Sequence, residues 1–525
     1  MMTMRRSAQP LNIAASFVAV TGLLGAFDAL AQRVTLRSND GALTVTGTLK
    51  SFDGRTYGIQ TDAAGEMRLS AATFACQSAA CPKEPVVFGI HGSNTIGAQL
   101  MPAIVEAYAQ SVGERAIIQA GRVPEEIEIS ILGKDGKERA VVNLHSHGSG
   151  TSPTSLKSRA AMIGMMSRPI HDDEAKLLAD AGLGDMRAPG HEHVLGLDAL
   201  LVMVAQSNRV NGLSVKQIGD IFSGVITDWS QVGGRPGRIQ LYSRDAKSGT
   251  FDTFDTLVLK PSNVKLSKEA RLFESSSDLS DAVARDPNGV GFAGYAYLRN
   301  SKALKVSNEC QMSFGPDIFN VKTEEYPLSR RLFLYTGPLE ERSLPSDLIR
   351  FSLSQAAQGI LNDTGFVDQG IKSLPAVDQA ARSAMIASFN EPAAQRVSAE
   401  LTNELKNSAR LSTTIRFRTG SSQLDNKALQ DLSGLVDVLR WLEAEKPSNK
   451  LLLVGFSDGV GGFDSNMKLA AARAQAVRQQ LIAATRNQAT ARFIETRNFG
   501  PLLPVGCDSS EEGKQKNRRV EIWLR

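Results

Sequence analysis

Beyond residue 31 the chain has no apolar run approaching the roughly 20 residues that a membrane-crossing helix needs. It has no block of lysine and arginine either. Its 59 basic residues are scattered against 55 acidic ones, so charge gives no support to a nucleic-acid partner. Cysteine is scarce, at four. Cys76 and Cys81, in "FACQSAACP", have no nearby His or Cys that would complete a four-ligand metal site, which favours a short disulfide loop. Cys310 and Cys507 are far apart in sequence and read as buried thiols, with a bond between them left open. A GxSxG nucleophile elbow is absent around Ser149 and Ser248.

What is present begins with an export signal. Arg5 and Arg6 precede the apolar stretch "LNIAASFVAVTGLLGAF", and "ALA" at Ala29–Ala31 offers the small residues a signal peptidase reads. Cleavage after Ala31 is expected, leaving an exported, soluble protein. At 525 residues the chain is too long for one ordinary core, and 42% apolar with 22% charged residues suits folded domains.

Four regions follow the signal (1–31). Residues 32–84 alternate apolar with polar and break at "NDG" and "DG", as a small β module does. Residues 85–375 alternate short β-rich runs ("VVFGI", "EIEISIL", "ALLVMVA") with helical patterns, an α/β region. Residues 376–410 read as a helical linker. From Leu411 to Arg525 a β-α-β-α-β pattern reads as a separate domain. The fold class is therefore α/β multidomain.

Three segments of the α/β region share a design. "GIHGSNTIGAQL", "HGSGTSPTSL" and "SRDAKSGTFDTF" each follow a strand and open a helical run. Each supplies glycine for close backbone approach and hydroxyls to donate. Backbone amides at a helix mouth suit anions. One such loop is ordinarily just a helix cap. Three together with Arg244 point to an oxyanion, because a guanidinium grips tetrahedral oxyanions bidentately.

On these residues the region resembles the phosphate-binding, periplasmic substrate-binding proteins of ABC transporters. The resemblance runs in family order through "GSNTIG", "GLDALLVMV", "GLSVKQIGDIFSGVITDWSQVGG", "SRDAKSGTFDTF", "PNGVGFAGYAYL" and "YPLSRRLFLYT". It implies a type II periplasmic-binding-protein fold, two α/β lobes joined by hinge strands and closing on the ligand. It places Ser93 and Thr95 on the first loop, Ser149 on the second, and Arg244, Ser248, Gly249 and Thr250 on the third. Two departures bear on selectivity. Where the family presents a carboxylate in an "SDAP"-like turn, this chain has "SRPI", so Arg168 would add a second cation. Ala246 falls where an acid often partners the arginine. Phosphate is the first expectation, with sulfate and organic phosphates left open.

The C-terminal region resembles the OmpA-like peptidoglycan-binding domain. That family's "TDxxG…NxxLSxxRA" reads here as "SDGVG…NMKLAAARA", and "NRRVE" closes it. The resemblance implies that Asp458 pairs with the ammonium and Arg473 with the carboxylate of diaminopimelate in the stem peptide, with Asn466 supporting the loop. Arg518 is a further candidate. A zwitterion needs both charges at fixed separation, so the pair serves specificity as well as affinity.

The sequence thus implies a periplasmic oxyanion receptor in a Gram-negative-type envelope, tethered to the cell wall near the outer membrane. An ABC permease is a possible partner. No enzyme activity, cofactor, metal or nucleic acid is expected. One rival is an envelope scaffold whose lobes no longer bind phosphate. Another is a phosphatase or metal-dependent hydrolase, for which His145, His147, His191 and His193 would be base or ligands.

Overall fold

A computed structural model describes residues 33–52, 56–78, 81, 85–375, 392–417 and 423–525. The expected signal, and residues 376–391 of the expected linker, lie outside them. The chain divides into two compact units, Met1–Glu84 and Pro85–Arg525.

In the first unit, five antiparallel strands run in the order Gly65–Ser70, Thr56–Thr61, Thr44–Phe52, Arg33–Ser38, Phe74–Cys76. Alternation sends Val34, Leu36, Tyr57 and Ile59 to one buried face. Cys76 and Cys81 are disulfide-bonded.

The second unit is built on a continuous mixed sheet. Its order is Arg271–Phe273, Gln240–Arg244, Gly289–Gly294, Glu192–Val204, Ser329–Thr336, Ile163–Met166, Val86–Gly92, Glu138–His145, Glu126–Leu132, Arg115–Ala120. Two long antiparallel strands, Glu192–Val204 and Ser329–Thr336, lie in the middle. The first also pairs with Gly289–Gly294 on one side, and the second with Ile163–Met166 on the other. They are the hinge strands that two α/β lobes share. All but the first two residues of Glu192–Val204 are buried, including Asp198. A charge inside such an apolar run has to be paired.

The C-terminal sheet is ordered Ser373–Leu374, Ala409–Arg416, Arg519–Leu524, Leu451–Gly455, Ile494–Asn498. Helices Asn426–Glu445 and Phe463–Thr485 bury Leu435, Leu439, Val477 and Leu481 in its core. By its contacts this region falls in the same compact unit as the lobes. Ser373–Leu374, from the end of the lobe region, supplies its edge strand. It also docks on the hinge: Arg331 pairs with Asp425 at 2.8 Å, Asn426 donates to Glu192 at 2.9 Å, and Arg410 pairs with Glu325. Cys310 and Cys507, read above as buried thiols, are disulfide-bonded across the same contact. Their 197-residue separation hid the pairing from the sequence.

Candidate functional site

The three loops meet between the lobes. The strand Val86–Gly92 delivers Ser93 and Thr95, both 1% exposed. Ser93 donates its amide to Met165 O at 2.8 Å, but its buried hydroxyl has no hydrogen-bond partner among the described residues. Leaving such a group unpaired is costly unless a guest supplies the partner. The Thr95 hydroxyl lies 3.0 Å from that of Thr250, on the third loop. Ser149, wholly buried on the second loop, accepts from Ser167 N at 3.0 Å and packs against Gly249. Ser248 caps the following helix, accepting from Thr250 N at 3.2 Å and Phe251 N at 3.4 Å.

The two expected cations are engaged with protein. Arg244 donates to Phe273 O at 3.1 Å, and also to Ser276 Oγ and Glu274 O. Burial lowers its pKa to about 10, with Asp245 opposing and Arg330 reinforcing the shift. Arg168, expected to add a second cation, is paired with carboxylates. Glu174 takes it bidentately, with both bonds at 2.7 Å, and Asp252 meets its Nε. The "SRPI" turn therefore adds a guanidinium enclosed by two carboxylates, not an excess positive charge.

One cation of the cleft was not singled out from the sequence. Arg330 lies opposite Asp198 in the hinge-strand register and pairs with it. Its Nη1 donates to Thr250 Oγ1 at 2.9 Å. The signal was present as the lone acid of "GLDALLVMV" and the arginine of "YPLSRRLFLYT".

Among the described residues, no cluster of three or more His, Cys, Asp or Glu side chains is placed to hold a metal ion. His191 Nδ1 bonds Thr336 O at 2.8 Å, and burial pushes His193 down to about 4. His147 spans the lobes, 3.0 Å from Glu126 at Nε2 and 3.0 Å from Glu274 at Nδ1. Burial opposes its charge, yet the bonds to both glutamates prevail and raise its pKa. A raised folded pKa stabilises fully below the unfolded value and loses the effect as pH climbs through the folded one. The melting-temperature advantage of wild type over His147→Asn is therefore expected to shrink as pH rises from about 6 to about 8. A constant difference across that range would show that folding does not raise the pKa of His147.

In the C-terminal domain, Asp458 follows the strand Leu451–Gly455 and Arg473 lies on the helix Phe463–Thr485. Arg518 Nη1 donates to Asp458 Oδ2 at 3.1 Å, and its Nη2 to Glu511 at 2.6 Å. Asn466 donates to Val460 O at 3.1 Å and so fastens the loop after Asp458. Arg473 donates to Phe456 O at 3.3 Å and lies 5.8 Å from the Phe417 ring. Burial lowers its pKa, with Asp458 opposing. The arrangement pairs Asp458 with Arg518 beside an exposed loop, and Asp458 also acts electrostatically on Arg473.

Comparison with known proteins follows this division. Residues 133–356 match the PBP superfamily domain, and residues 416–518 match the OmpA family. Phosphate-binding protein PstS of Staphylococcus saprophyticus is 27% identical over 243 residues, 45% of this chain and 73% of that protein. Protein SphX of Synechococcus elongatus is 29% identical over 229 residues, 41% of this chain and 66% of that protein. An ABC-type phosphate transport receptor from Vibrio cholerae aligns at 23% identity and a TM-score of 0.40, covering 53% of this chain and 99% of that one. The chain is thus similar to the PBP superfamily domain in its central region and to the OmpA family near its C-terminus.

Proposed function

We propose that the protein is a periplasmic receptor for phosphate or a closely related tetrahedral oxyanion, held to peptidoglycan by its C-terminal domain. Residues 85–375 are the receptor and 411–525 the anchor. The observation that carries the reading is the convergence of Ser93, Thr95, Ser149, Gly249 and Thr250 between the lobes, with the Ser93 hydroxyl buried and unpartnered. Binding followed by lobe closure is the mechanism, and no chemical step is required. The relatives named as phosphate-binding proteins support phosphate as the guest. An ABC permease is the natural recipient. Asp458 and Arg473 take the two charges of a diaminopimelate stem peptide, and Arg518 orients Asp458.

Calorimetric titration with inorganic phosphate and sulfate tests the receptor. Saturable binding with a higher melting temperature is expected. Asp458→Ala and Arg473→Ala are each expected to release the protein from sedimented peptidoglycan while leaving anion affinity unchanged. A second reading, an envelope scaffold with inactive lobes, is favoured by the docking of the C-terminal domain on the hinge and by the Cys310–Cys507 bond. The same titration separates the two, since a scaffold would show neither heat nor stabilisation.

A further inference from the structure

Arg330 is 5% exposed, and Asp198 wholly buried. Asp198 Oδ2 accepts from Arg330 Nε at 2.9 Å and Nη2 at 2.6 Å, while Oδ1 accepts the amides of Ala199 and Tyr295. Both carboxylate oxygens are occupied, so the guanidinium is fixed in orientation. Its outer edge meets the two central hydroxyls, Nη1 at 2.9 Å from Thr250 Oγ1 and Nη2 at 3.4 Å from Thr95 Oγ1.

A guanidinium only donates. A hydroxyl that accepts from it must turn its own hydrogen elsewhere. The two threonine oxygens lie 3.0 Å apart, so one hydrogen can be shared between them and the other points away. The pair therefore presents a donor hydrogen, not an acceptor, to the cleft. That polarity suits an oxyanion and opposes a cation or a neutral donor.

We infer that Arg330, held by Asp198, is a positioning residue of the anion site: it occupies the acceptor side of the Thr95 and Thr250 hydroxyls, so that the hydrogen not shared between them is turned to the guest. The inference rests on the receptor reading above and adds a specificity device to it.

The test compares Arg330→Lys with Arg330→Gln in the full chain, titrated with inorganic phosphate. Lysine is still donor-only, whereas a glutamine oxygen can accept and let a hydroxyl turn inward. Arg330→Gln is expected to bind roughly 10- to 140-fold more weakly, the range for losing a charge-assisted hydrogen bond. Arg330→Lys is expected to bind more tightly than Arg330→Gln but more weakly than wild type, because it stays donor-only yet loses the fork. Melting without phosphate reports the fold separately. If Arg330→Gln does not fold, Asp198→Asn/Arg330→Gln, which leaves no unpaired buried charge, carries the comparison with the same expected loss. Wild-type affinity in Arg330→Gln or in the double variant overturns the inference and leaves the receptor intact. Arg330→Lys as weak as Arg330→Gln also overturns it. A wild-type chain that binds neither phosphate nor sulfate removes the receptor reading, and this inference with it.

Discussion

Glu325→Ala is expected to cost the Pro85–Arg525 unit about 3–5 kcal/mol, the usual penalty for stranding one member of a buried ion pair. Arg410, 1% exposed, stands between Glu325 and Glu521. Burial works against its charge, and the two carboxylates restore it, raising its pKa. Glu325 precedes the second hinge strand, whereas Arg410 and Glu521 belong to the C-terminal sheet. Removing Glu325 leaves the guanidinium buried beside Glu521, which Arg519 already holds at 2.6 Å. The loss therefore falls on the contact between the lobe region and the C-terminal domain more than on either core. Calorimetric melting of wild type is expected to show Pro85–Arg525 unfolding in one transition, and Glu325→Ala to split it or move it to lower temperature. Replacing Glu325 and Arg410 together by methionine should recover much of the loss, because it removes both charges from the interior. A wild-type-like melt of Glu325→Ala would show that the two domains meet only loosely.

The adjoining arginines of "YPLSRRLFLYT" show what the sequence could and could not reveal. On a strand, neighbouring side chains face opposite ways. Arg330 therefore turns to Asp198 and the cleft, and Arg331 to Glu324 and Asp425 of the docked domain. The alternation was readable, and so was the oddity of Asp198 in an apolar run. The partner of each charge was not. Glu324 serves Arg331 and also Arg416, a residue of the C-terminal sheet that nothing local connects to it. Arg244 illustrates the opposite error. Its place before Ser-Gly-Thr identified the loop, but its bonds go to Phe273, Glu274 and Ser276, whose approach depends on how the strand Arg271–Phe273 pairs. The α/β character of the central region and the βαβ pattern of the C-terminal one were legible because periodicity is a local signal, whereas the two lobes were implied only by the family resemblance. The hinge docking and the Cys310–Cys507 bond depend on contacts between distant segments.

Gly249→Ala is expected to weaken phosphate binding while sparing the lobes themselves, and Gly148→Ala to weaken binding and lower the melting temperature together. Gly148 holds φ at 108°, where side-chain-bearing residues are strained, and an added Cβ would fall 2.2 Å from the carbonyl oxygen of Lys247. That obstacle is backbone, so no rotamer relieves it. At Gly249 a Cβ would lie 2.1 Å from Ser149 Oγ and 2.7 Å from Ser149 Cβ, both fixed in the second loop. Either methyl wedges the second loop from the third and holds the cleft ajar. An overpacking penalty of about 1–3 kcal/mol, paid only on closure, corresponds to roughly five- to 140-fold weaker binding. Gly182 separates this steric effect from simple backbone strain. Its φ is 76°, yet an added Cβ meets nothing within 4 Å. Gly182→Ala should therefore lower the melting temperature without changing phosphate affinity, and Gly249→Ala should do the reverse. If Gly249→Ala binds phosphate as wild type does, the second and third loops do not need to touch for the anion to be held.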